Sequence, residues 1–193
     1  MRRNGEQIPL SHKDKTAWPH IGKEFNINGM NESLTDNRII KMIFVCHGNI
    51  CRSPMAEFTM KELVRREGLS EHFAISSAAV SYEEEGNGIY AQAAAKLREK
   101  AIPFGAHSAH RITEAEAASA DIILVMDGSN ERLIRNIIAP EDYCKVHLIM
   151  EFAGKPGQDV ADPWYTRNFE RSWQDIAEGC RGLLRTISAR LAE

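Results

Sequence analysis

The stretch FVCHGNICRSPMAE, residues 44–57, sets Cys46, Cys51 and Arg52 between an apolar run and a helix-start signal. Cys46 stands six positions before Arg52. Thiols beside a guanidinium suit several chemistries. They could form a metal knuckle, a disulfide, a redox pair, an incidental core turn, or a phosphate pocket around a nucleophile.

The setting of the loop separates these readings. It follows the first strand of an alternating α/β pattern and opens the first helix, where open parallel sheets bind ligands. The first N–H groups of that helix lack intrahelical partners, and its dipole adds positive potential. Gly48 lets the backbone approach an anion without a Cβ in the way, and Asn49 tolerates left-handed geometry. Converging N–H groups would hold phosphate oxygens, and Arg52 would add a bidentate clamp. A thiol in that field favours the thiolate, which marks Cys46 as a nucleophile. His47 beside the pocket could aid phosphate binding when charged; the alternative is an ordinary exposed loop histidine.

Zinc needs about four ligands at compatible spacing, yet Cys144 and Cys180 stand alone and Arg52 would oppose a cation. A structural disulfide conflicts with four scattered cysteines, which fit a reducing compartment. The core-turn reading survives on this stretch alone, because free cysteine is often buried.

Displacing an alkoxide or phenoxide from a phosphate ester calls for an acid at the leaving oxygen. The best-placed carboxylate is Asp162 in DVADPWY, residues 159–165. Pro163 stiffens that loop, and Trp164 and Tyr165 offer flat surfaces to an aromatic leaving group. Taken alone, Asp-Pro is a common turn opener. With the cysteine loop, Cys46, Arg52 and Asp162 supply nucleophile, clamp and proton donor.

The elements that must position these groups follow from periodicity. Strands are expected over 39–45, 73–80, 121–126 and 144–150, and helices over 53–68, 89–101 and 129–138, with a short one from Thr113. Ser53 can cap the first helix, and Pro54 suits its first turn. A last helix from about Arg167 carries Phe169, Trp173, Ile176, Ala177, Cys180, Leu183, Leu184, Ile187 and Leu191 on one stripe. Trp173 and Cys180 are therefore assigned to the core, as is Cys144 at a strand start. Strands alternating with helices make an α/β domain, a parallel sheet covered on both faces.

Residues 1–37 are polar and rich in breakers, and read as an N-terminal extension; Trp18, Ile21, Phe25 and Ile27 could dock on the domain, expected at 38–193. No apolar run follows the basic N-terminus and the longest runs reach about seven residues, so neither a signal peptide nor a membrane span is expected. A net charge of −3 gives no sign of a nucleic-acid binder. The expected location is cytoplasmic.

The motifs resemble the low-molecular-weight protein tyrosine phosphatases, whose signature V-C-x-G-N-I-C-R-S-P-x-A-E is matched at every fixed position by residues 45–57. Further matches are SSAA at 76–79, HSAH at 107–110, ILVMDGSN at 123–130 and the late ADPWY before a long helix. The resemblance spans about residues 39–191 and implies a compact three-layer domain with a four-stranded parallel sheet.

It implies that Cys46 attacks phosphotyrosine to form a phosphocysteine, with Arg52 and the loop from His47 through Gly48, Asn49, Ile50 and Cys51 binding the phosphoryl group. Asp162 would protonate the phenol, and Ser53 would hydrogen-bond the thiolate. Asn49 would be held by Ser77 and His110. Cys51 would form a reversible disulfide with Cys46 under oxidation. No metal or organic cofactor is implied. The partner would be a phosphotyrosine protein, such as a bacterial tyrosine kinase, and the enzyme a monomer or weakly self-associating.

The chain departs from the family where many members carry an aromatic wall residue: that position falls at Glu83, with Tyr82 beside it as a candidate contact. An acidic lip there would repel acidic phosphopeptides. The same-fold arsenate reductases use two further cysteines, which Cys144 and Cys180 fit poorly. The family's arginine phosphatases typically carry threonine where Ile50 stands. A non-catalytic phosphate-binding module is the remaining alternative.

Overall fold

The computed structural model describes residues 39–191, so the expectations for the N-terminal extension lie outside the described residues. Four strands form one parallel sheet: β1 (Ile40–Cys46), β2 (Phe73–Ala79), β3 (Ile122–Val125) and β4 (Val146–Leu148), in the order β2-β1-β3-β4. The central position of β1 explains its composition. Buried on both faces, IKMIFVC is nearly continuous apolar sequence rather than an alternating one.

Its alternating side chains feed two cores. Met42, Phe44 and Cys46 pack on one side with Met55, Ala56 and Met60 of α1 (Arg52–Arg66) and with Ile176, Cys180 and Leu183 of α6 (Phe169–Leu191). Ile43 and Val45 pack on the other with Ala117 of α3 (Glu114–Ser119) and Ile134 of α4 (Gly128–Ile134). The period of two along β1 thus assigns Cys46 to the α1 face.

The remaining helices are α2 (Ala91–Glu99) and the single turn α5 (Pro163–Thr166). The long helix α6 carries Gly179 and Gly182 where other residues would favour helix more strongly. A Cβ at Gly182 would stand 1.8 Å from the carbonyl oxygen of Phe152, so only glycine lets the helix lie against the 3₁₀ segment 149–153.

Several local expectations need correction. Ser53 is not the cap of α1: the cap position is Cys51, without a side-chain bond, and the Ser53 hydroxyl turns inward to Cys46. The strand expected over 144–150 shrinks to β4, because 3₁₀ segments at 140–145 and 149–153 take both ends. Cys144 is therefore exposed rather than core, its thiol facing the carbonyl of Glu141. Trp173 is half-buried, with the Lys100 ammonium 4.4 Å from its ring centroid, while Cys180 is fully buried as expected. The helix expected over 129–138 runs over 128–134 instead; its start is set by Asp127, which caps it by accepting the N–H of Asn130 at 2.7 Å.

Candidate active site

Cys46 ends β1 beneath the loop that leads into α1, and its thiol lies 3.1 Å from the Ser53 hydroxyl. The loop is pinned from outside by its own carbonyls. Those of Cys46 and His47 accept from Val80, that of His47 also from Ser81, and that of Ile50 from Tyr90 at 2.9 Å. The carbonyl of Asn49 faces His107 Nε2 at 2.7 Å. Among the described residues, no protein acceptor takes the N–H groups of Gly48, Asn49, Ile50 or Cys51. Carbonyls held outward and amides left over make the electropositive concavity of an anion nest.

Asn49 is the hinge of this arrangement. It holds φ 57 and is fully buried, and such a residue needs its side chain satisfied. Its amide nitrogen donates to both Ser53 and Ser77 hydroxyls at 2.9 Å, and its Oδ1 accepts the backbone N–H of His110 at 3.3 Å. Ser77 in turn donates to Glu57 at 2.5 Å. The expected role of His110 thus belongs to its backbone; its imidazole faces Glu116 at 2.8 Å. The carboxylate of Glu57 and the ring of His107 are supports that sequence reasoning does not assign. In the sequence Glu57 closes the signature at residues 45–57, but nothing there links it to Ser77.

Arg52 is 3% exposed and lies between two carboxylates. Its Nη1 reaches Asp127 at 2.5 Å and its Nη2 reaches Asp162 at 2.6 Å. Burial alone would weaken its hold on the proton, but the charges of Cys46, Asp162 and Asp127 outweigh burial and hold it protonated above the ordinary value. Asp127 is a third residue to which sequence reasoning gives no role. Its helix-cap position can be anticipated from MDGSN, but its reach to Arg52 cannot.

Asp162 comes from the segment before α6, and buried anchors hold that segment. The Val160 N–H bonds the carbonyl of Met126 at 2.8 Å, and the Ala161 N–H bonds buried Asp175 at 3.3 Å. Asp162 also caps α5 by accepting from Trp164 at 2.9 Å.

One pocket is lined by Cys46, His47, Gly48, Ile50, Cys51 and Arg52 from the loop, Asp162, Trp164 and Tyr165 from the acid segment, and Glu83 and Glu84. Trp164 meets Tyr90 edge to face at 5.8 Å, whereas Tyr165 is largely exposed. Tyr82, expected as a pocket contact, is not in the lining: it points to solvent beneath the Arg111 guanidinium at 4.6 Å. The wall position, which falls at Glu83 in the sequence, is lined by Glu83 together with Glu84. His47 pairs with Glu83 at 3.1 Å rather than standing alone.

The two loop cysteines differ in environment. Burial first, then the charges of Cys46 and Asp162, push the Cys51 thiol up to about 12, so it stays protonated at neutral pH. All four cysteines are free thiols. The pocket therefore joins a thiol, a buried cation, a nest of amides and a carboxylate within reach of one bound phosphate.

Residues 41–193 match the family profile described as low molecular weight phosphotyrosine protein phosphatase. A curated relative, low molecular weight protein-tyrosine-phosphatase YfkJ of Bacillus subtilis, is 33% identical over 150 residues, covering 77% of this chain and 96% of that protein. The human low molecular weight phosphotyrosine protein phosphatase is 34% identical over 147 residues, covering 74% and 92%. The crystal structure of YfkJ superimposes with a TM-score of 0.76 at 32% identity, covering 80% of this chain and 98% of that one. The chain belongs to the low-molecular-weight phosphotyrosine protein phosphatase family.

Proposed function

We propose that this protein hydrolyses phosphotyrosine on proteins through a phosphocysteine at Cys46. The observation that carries the reading is the convergence of Cys46, Arg52 and Asp162 in one pocket, although Asp162 lies far along the chain from the other two. The phosphoryl group binds the amides of residues 47–52 and Arg52. The Cys46 thiolate attacks phosphorus; the S–P bond forms as the P–O bond to tyrosine breaks, and protonated Asp162 gives its proton to the leaving phenolate. Asp162, now a carboxylate, takes a proton from the water that attacks the phosphocysteine. The S–P bond breaks, phosphate leaves, and the thiolate returns with Ser53 as its hydrogen-bond donor. Trp164 and Tyr165 flank the aromatic leaving group.

Cys51 is the redox partner of Cys46. Peroxide converts the Cys46 thiolate to a sulfenic acid; the Cys51 sulfur displaces hydroxide as water, and the resulting disulfide protects the nucleophile until a thiol reduces it. Such a cycle suits a reducing cytoplasm. Among the described residues no helix is long and apolar enough to cross a membrane.

The test is to trap the phosphoenzyme from an aryl phosphate by rapid acid quench and map it by mass spectrometry. The phosphate is expected on Cys46, with a phosphoarginine peptide turned over far more slowly than a phosphotyrosine peptide. Wild-type turnover in Cys46→Ser would refute the mechanism. Recovery from peroxide by added thiol is expected in the wild type and lost in Cys51→Ser.

A further inference from the structure

The rim of the pocket carries charge that the phosphate chemistry does not use. Glu83 and Glu84 belong to its lining, and Glu84 lies against the phosphate loop: a Cβ at Gly48 would stand 2.9 Å from its Cγ. The segment is fastened in place. The Glu84 carboxylate accepts from the neutral Asn87 amide at 2.7 Å, and the Glu83 N–H donates to the Ser81 hydroxyl at 3.0 Å. Glu85 accepts the Arg111 N–H at 3.1 Å, and the Arg111 side chain reaches the Val80 carbonyl and the Tyr82 hydroxyl. The carboxylates are thus held at the mouth by the fold itself.

The balance of charge around them is acidic. Three carboxylates line the pocket, Glu83, Glu84 and Asp162, and its buried cation, Arg52, already faces Asp162 and Asp127. His47 is the other basic group in the lining; it pairs with Glu83 and is charged only when protonated. The amide nest and Arg52 serve the phosphate on the floor. At the rim, acidic residues beside the phosphotyrosine would meet like charge, whereas a lysine or arginine there would meet Glu83 and Glu84.

We propose that Glu83 and Glu84 form a cation-selecting rim, so that the enzyme prefers phosphotyrosine flanked by Lys or Arg to phosphotyrosine flanked by Asp or Glu. This deepens the phosphotyrosine reading above and rests on it.

The test compares kcat/KM for two phosphotyrosine peptides of equal length, one Lys-flanked and one Glu-flanked, with para-nitrophenyl phosphate as a substrate lacking flanks. At low ionic strength the Lys-flanked peptide should lead by about tenfold, the scale of two exposed charge pairs reversed in sign. The lead should shrink in high salt, as the Debye length falls from about 10 Å at 0.1 M towards about 3 Å at 1 M. In Glu83→Gln/Glu84→Gln it should fall towards one, mainly through faster turnover of the Glu-flanked peptide. A ratio near one in the wild type, a ratio indifferent to salt, or a ratio unchanged in the double variant would each overturn the rim. Should the variant fail to fold, the wild-type salt series decides. Turnover of para-nitrophenyl phosphate with a peptide ratio of one overturns the rim alone; no turnover of any substrate overturns the phosphatase reading and the rim with it.

Discussion

Asp162 and Arg52 are paired with each other: Oδ2 of the carboxylate lies 2.6 Å from Nη2 of a guanidinium only 4% exposed. The proposed acid and the proposed phosphate clamp therefore compete for the same positive charge. A phosphate dianion entering the nest offers Arg52 a stronger bidentate partner and frees Asp162 to face the leaving oxygen.

The substitution Asp162→Asn separates these two roles. The amide oxygen of the variant side chain would still accept from the Trp164 N–H, so the loop cap persists. The kcat for phenyl phosphate should fall by about 10²–10⁴, the range for a lost general acid, and much less for aryl phosphates with better leaving groups. Inorganic phosphate should inhibit the variant more strongly, since Arg52 no longer has to release a carboxylate. Equal losses across the leaving-group series would remove Asp162 as the acid.

Asp127 acts through Arg52 and is a positioning residue. It holds Nη1 at 2.5 Å while capping α4, so the guanidinium is tied to a rigid helix start. Asp127→Asn keeps the cap and weakens the charge pairing, costing on the order of 1–3 kcal/mol of stability. Its distinguishing signature is weaker inhibition by phosphate and a raised KM, with the leaving-group dependence unchanged. A loss of stability alone, with phosphate affinity intact, would count against the positioning role.

Ser77 links buried Asn49 to buried Glu57, and Ser77→Ala leaves Glu57 without that donor and Asn49 without one acceptor. The melting temperature should drop, corresponding to about 1–3 kcal/mol for buried polar groups losing partners. Phosphate affinity should fall with it, because Asn49 loses part of what holds its left-handed backbone at φ 57. An unchanged melting temperature and phosphate affinity would show that the network supports neither.

Alkaline pH should destabilise the fold through its buried thiols. Burial pushes the Cys180 thiol up to about 12 from an ordinary value of 9.0, and burial followed by neighbouring charges does the same to Cys51. The folded state therefore holds these protons more tightly than the unfolded chain. Their contribution is fully present below pH 9.0 and is lost as pH rises towards about 12. Each thiol adds up to about 1.4 kcal/mol of loss per pH unit in that window. Urea unfolding across it should give a shallower slope of stability against pH for Cys180→Ala than for the wild type, whatever the cavity costs in absolute stability. Identical slopes would contradict the assignment.

Much of this is legible in residue order. The run into Cys46, the glycine and asparagine after it and the helix start at Arg52 encode a strand–loop–helix locally, because propensity and backbone freedom act over a few residues. The apolar stripe of α6 is legible for the same reason, and so is the acid segment around Asp162 as a rigid turn. Residue order alone thus marks the candidate chemistry-bearing residues and, in outline, the elements that carry them. Their pairings are set in three dimensions: Asp127 against Arg52, Glu57 beneath Ser77, the backbone rather than the ring of His110 on Asn49, and Glu84 joining Glu83 in the pocket lining while Tyr82 stays outside it. So are the exposure of Cys144 and the place of Gly182 against Phe152. Each depends on which segments the parallel sheet brings side by side, and contacts between distant segments leave no period or spacing in the chain to read.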